Sequence, residues 1–155
     1  MKHLPVIVLL CSLLMIGCAK SSLGSFVSYE TEYLNTENDG SLTLRAWGQG
    51  KGLSDAREQA QKNAVNDIIF KGINTKDRVY KPLVLEVNAR DKYENYFDTF
   101  FRDGGAYTQF ASSADERESA KVRLKNTTQR NYGSVVRVLR SELRQKLIED
   151  GIIKP

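Results

Sequence analysis

The sequence predicts an α+β fold, a single domain in which helices pack on one largely antiparallel sheet. Three observations predict it. Ser41–Gly48, Lys121–Lys125 and Tyr132–Leu139 alternate apolar and polar residues, the period of a half-buried strand. The stretches 54–71, 89–102 and 141–150 place apolar residues at helical spacing and end at or near glycine. The resulting order, β-α-β-α-(β)-β-β-α, lacks the strict alternation of parallel βαβ units and fits helices layered on an antiparallel sheet.

Taken in order, residues 18–40 read as a tether and lead-in, Ser/Gly-rich at first and closing on the turn formers Asn35–Gly40. Ser41–Gly48 sets Leu42, Leu44 and Ala46 on one side and Thr43, Arg45 and Trp47 on the other. Gly48–Gly52 reads as a flexible bend. Ser54 offers an N-cap oxygen, and Asp55 and Glu58 suit the positive end of the helix that follows. Gly72 suits the left-handed position just past its end. Pro82–Val87 reads as a second strand with proline at its first position. The helix 89–102 carries the stripe Tyr93, Tyr96, Phe97, Phe100 and Phe101, and Gly104-Gly105 ends it. Tyr107–Ala111 reads as a short strand and Ser112–Glu118 as a polar loop. Lys121–Lys125 and Tyr132–Leu139 form a hairpin, and Ser141 caps a last helix that ends at Gly151. The domain proper spans 41–155.

The start of the chain has a different character. Lys2 precedes an apolar run of thirteen residues, Leu4–Ile16. That is short of the roughly 20 residues needed to cross a bilayer and suits a signal-peptide core. Met15-Ile16-Gly17-Cys18 follows, and this resembles the lipobox of bacterial lipoproteins. The resemblance implies that 1–17 is a signal peptide and that Cys18 is diacylated on sulfur and becomes the mature N-terminus. It also implies a lipid-anchored protein of the bacterial cell envelope. Ala19, rather than Asp, after the cysteine implies the outer membrane. A diacyl anchor holds where a single chain binds reversibly.

Composition narrows the chemistry. The chain's one histidine, His3, and one of its two cysteines, Cys11, fall in the signal segment, and Cys18 is the lipid site. A mature chain without histidine has no Ser-His-Asp or Cys-His catalysis and no common zinc set. Carboxylate pairs such as Asp98 with Asp103, or Asp115 with Glu116, read as helix-end and loop charges. The sequence is therefore read as a non-enzyme, with no catalytic residues, no metal site and no cofactor.

Two segments draw a binding reading. From Arg117 to Lys146 there are nine Lys/Arg and two acidic residues, whereas from Cys18 to Glu116 acidic residues exceed basic ones by fifteen to twelve. Alternation sets Lys121, Arg123, Lys125 and Arg137 on the outward side of the hairpin, a candidate face for an anionic partner. Export argues against nucleic acid and favours an envelope protein or an anionic envelope polymer. Gly48, Gly50, Lys51 and Gly52 form a candidate anion-binding turn at a helix start, although Leu53 stands where a dinucleotide fingerprint needs its third glycine.

A strand ending Ala46-Trp47-Gly48-Gln49-Gly50, a Ser54-Asp55 helix start and the small residues Ala56, Ala60 and Ala64 resemble a lipoprotein family. This is the small membrane-associated family related to the N-terminal domain of the flagellar assembly protein FlgT. The resemblance covers residues 41–72 and implies an accessory or assembly domain without catalytic residues. The combined expectation is a membrane-anchored envelope protein that acts by binding. The alternative is a small-ligand binder, for a peptide, glycan or acyl chain, or a carboxylate enzyme built on the aromatic helix 89–102.

Overall fold

The computed structural model describes residues 30–122 and 130–155, the side chains of 115–122 and 130 excepted. Four strands form one antiparallel sheet in the order β1-β2-β6-β5: β1 Glu32–Thr36, β2 Leu42–Gly50, β5 Ala111–Val122 and β6 Arg130–Val138. The helices are α1 Leu53–Phe70, α2 Ala89–Lys92, α3 Glu94–Phe101 and α4 Arg140–Glu149. A two-residue-per-strand hairpin, β3 Ile73–Asn74 with β4 Val79–Tyr80, follows α1. The fold is α+β.

The alternation of β2 is realised. Leu42, Leu44 and Ala46 are fully buried and stand opposite Val138, Val136 and Ser134 of β6. Helix α1 lies over β2 and β6 and seats Ala56, Ala60 and Ala64 against them. The approach is close enough to demand glycine beneath. A Cβ on Gly48 would stand 1.9 Å from the Ala56 carbonyl oxygen, and one on Gly50 would stand 2.6 Å from the Ala56 nitrogen. Gly48 and Gly50 therefore belong to the strand, and their role is to admit the helix.

The remaining departures from sequence expectation have local causes. The segment read as tether contributes β1, which pairs antiparallel with β2 across a register shift between Tyr33 and Asn35 and forms one edge of the sheet. Pro82–Val87 is not a strand. The Leu83 and Val84 N–H groups donate to the Ile68 and Ile69 carbonyls at 3.1 and 2.9 Å, satisfying acceptors that a helix end leaves open. The segment thus caps α1 rather than joining a sheet. Gly72 sits at φ +77°, with its N–H on the Asp67 carbonyl at 2.7 Å, as its position predicts.

The aromatic helix is interrupted at Tyr93, between α2 and α3. Tyr107 lies in a 3-10 turn, Ala106–Gln109, rather than a strand, and its ring is wholly buried in the core. Ser112–Glu118 belongs to β5, an edge strand whose first polar residues are exposed, so polarity there does not oppose pairing. Helix α4 starts at Arg140 after Leu139, and Ser141 lies inside it. Among the described residues no helix is long and apolar enough to cross a membrane.

Candidate functional site

A groove of about 830 Å³ runs between the segment 82–86, the Lys92-Tyr93 corner, α4 and the chain end. Its floor is apolar, from Leu83, Val84, Ile148, Ile152 and Ile153. Lys92, Arg140, Arg144 and Lys154 line it against one acidic side chain, Glu86. Glu86 is taken by Lys92 at 2.9 Å.

Arg140 is the unusual group. It is half-buried, donates from Nη2 to the Lys81 carbonyl at 3.0 Å, and sets its guanidinium 5.9 Å from the Tyr80 ring centre. Its Nε is buried with no acceptor among the described residues. No carboxylate pairs with it among the described residues, and Arg144, one turn on and exposed, is also without an ion pair there. Burial, with the like charge of Arg144, pushes the Arg140 pKa below its usual value. Leaving a guanidinium without a counter-charge in such a place is costly, and an anion in the groove would relieve it.

Tyr80 ties this groove to a second cleft. Arg78 also sits over its ring, at 5.7 Å. Tyr80 also stacks with Tyr33 of β1 at 6.1 Å, and its hydroxyl meets the Thr36 hydroxyl at 2.7 Å. The cleft there, about 940 Å³, is lined by Glu30 to Tyr33 and by the β3–β4 hairpin with its turn residues Lys76, Asp77 and Arg78.

The residues singled out from sequence fall in different places. Cys18, Arg123 and Lys125 lie outside the described residues. Lys121 pairs with Tyr132 in the β5–β6 register. Arg137 is engaged within the domain: its Nε donates to the Ser41 hydroxyl at 2.8 Å and its Nη2 to the Asp39 carboxylate. Asp39, held first by the Ser41 hydroxyl and N–H and then by Arg137, has its pKa lowered to about 2. At the glycine turn the Gly52 N–H donates to the Asp55 carboxylate at 3.3 Å, so α1 carries its own negative charge at its N-terminus. Lys51 is exposed beside it.

The aromatic stripe is mostly core. Phe97 and Phe100 are buried and linked edge-to-face and by stacking to Phe70, Tyr96, Phe101 and Phe110. Tyr96 reaches the surface, donating to Asp150 at 2.7 Å, at the rim of a cleft of about 410 Å³ that Phe100 also touches. Tyr107 donates to Glu58 at 2.9 Å under Lys62, which also pairs with Asp103. Burial, then the Glu58 carboxylate, raises the Tyr107 pKa.

Sequence reading passed over Arg140, Arg144 and the exposed end of 82–87. The available signal was Pro82–Val87, an apolar run preceded by Lys81 and broken by Glu86 that alternation could not assign to a face. Among the described residues no group of three or more metal-ligating side chains converges. No family model, no curated protein and no solved structure matches the chain.

Proposed function

We propose that this chain is a lipid-anchored accessory protein of the bacterial envelope, held at the outer membrane through Cys18, whose domain acts by binding an anionic partner. One observation carries the binding reading: the half-buried Arg140, its Nε without an acceptor and Arg144 beside it without an ion pair among the described residues, over an apolar floor. A groove of this size lies in the range of ligand sites, roughly 300–1,000 Å³. The lipobox resemblance at Met15–Cys18 and the helix-on-sheet join at 41–72 support an anchored envelope role.

The test is in-cell crosslinking with mass spectrometry on tagged full-length protein, beside Cys18→Ala and Arg144→Glu with Lys154→Glu. Membrane attachment is expected to be lost only in Cys18→Ala. Crosslinks to anionic envelope components are expected to fall in the double variant. Full crosslinking by the double variant would overturn the groove as the contact site.

A further inference from the structure

We propose that the groove side of the domain lies directly on the membrane that anchors it, with Leu85 and Val87 entering the leaflet and Arg144, Lys154 and Lys81 on anionic headgroups. This rests on the anchoring reading above and names the anionic partner as the bilayer itself.

Three observations converge on that side. Among the described residues the exposed large apolar side chains are Val79, Leu85 and Val87, at 65%, 73% and 104%. All belong to one short run of chain. A segment bound inside the groove would cover Leu85, which lines it, and leave Val87, which does not. A lipid leaflet takes protruding apolar groups and their flanking cations together, as interfacial elements do. The apolar side chains are rigidly presented as well, because the Leu83 and Val84 N–H groups are pinned to the end of α1.

Charge complements the surface. The groove lining carries four Lys/Arg against Glu86, and that carboxylate is neutralised by Lys92. A bilayer with anionic lipids supplies the counter-charges that Arg140 and Arg144 lack within the described domain.

The way the chain leaves the domain agrees. Glu30, where the described residues begin, lines the cleft shared with Arg78 and Tyr80, and Arg140 meets the same Tyr80 ring. From Cys18 to Glu30 the chain spans at most about 40 Å even if fully extended. The described chain therefore begins on the Tyr80 side of the domain, next to the face proposed to lie down, and the anchor is within tether reach of it.

The experiment uses the lipidated full chain in phosphatidylcholine vesicles, with and without phosphatidylglycerol. An environment-sensitive probe is placed at Val87→Cys or, as a control, at Ser54→Cys. Ser54 is an exposed residue in the first turn of α1, about 21 Å along the helix from the Ile68 carbonyl that holds Leu83. Expected is a blue-shifted emission at 87, quenched by lipid-borne quenchers, strongest with phosphatidylglycerol, and a solvent-exposed probe at 54. Arg144→Glu with Lys154→Glu is expected to lower the embedded-to-detached ratio by at least about 25-fold, about fivefold for each cation removed before the repulsion of the new carboxylates. Vesicle co-flotation with equal exposure at 87 and 54 would overturn this orientation and leave the anchor standing. Loss of co-flotation would overturn the anchoring reading and this one with it. A cell-derived protein crosslinked over Val87 would assign the face to a protein partner and overturn the membrane assignment alone.

Discussion

Replacing Gly48 by Ala tests how the domain is held together. The added Cβ would stand 1.9 Å from the Ala56 carbonyl oxygen and 2.6 Å from the Ala60 nitrogen. Both are backbone atoms of α1, so no side chain can turn aside. The helix must retreat by more than 1 Å, and that much radial gap forfeits about half of each contact's attraction. The contacts at stake are those of Ala56, Ala60 and Ala64 with β2 and β6, the join on which the rest of the core is built. Overpacking of a tight core costs about 1–3 kcal/mol; with backbone on both sides, about 3 kcal/mol is expected. For a domain with a stability of roughly 5–15 kcal/mol that is a large fraction. Urea unfolding should show a lower midpoint at unchanged slope, with Tm lower by about 10 °C. Gly104→Ala is the comparison: its Cβ meets nothing within 4 Å, but φ is +65°, so it should cost only the left-handed backbone penalty, about 1 kcal/mol. If Gly48→Ala is no more destabilising than Gly104→Ala, the close approach of α1 is not what the glycine serves.

Other outcomes follow from the same geometry. Gly72→Ala combines φ +77° with a Cβ 2.4 Å from the Tyr80 carbonyl oxygen, and chemical denaturation should register a loss above about 2 kcal/mol. Tyr107→Phe keeps the buried ring and removes its bond to Glu58. A loss of about 1 kcal/mol is expected, and an unchanged midpoint would show that the hydroxyl is not needed. The Asp39 carboxyl should titrate near 2 by NMR, below its ordinary 3.8. Because the folded pKa is the lower one, its contribution to stability is full above about pH 4 and fades as pH falls toward 2. Arg137→Ala, which removes one of its partners, should raise that pKa; a value near 4 in the unaltered chain would contradict the Ser41–Arg137 arrangement.

Legibility followed the kind of signal. Strand β2, helix α1 and strand β6 were readable because a strand or helix with one dry face repeats apolar residues at a fixed period. Ala56, Ala60 and Ala64 recur every four residues, the spacing of one helix face, and that small-residue face is the one seated on the sheet. The site was less legible. Arg137 read as outward charge, yet Asp39 and Ser41, nearly a hundred residues earlier, hold it. Arg140 read as one cation among nine, because nothing local shows that its Nε is buried without an acceptor.

From sequence alone came the fold class, the strand and helix that form the central join, and Gly72 just past the helix end. These depend on side-chain period and backbone freedom, properties each segment carries alone. That Gly48 and Gly50 lie in the strand to admit α1 came only from the packing. Tertiary structure decided that 82–84 caps α1, that Tyr107 takes a 3-10 turn to bring its hydroxyl to Glu58, and that the chain before residue 40 supplies an edge strand. In each case the backbone or polar group has its partner between six and forty-nine residues away in sequence. Which partner is within reach is settled only when the core has closed.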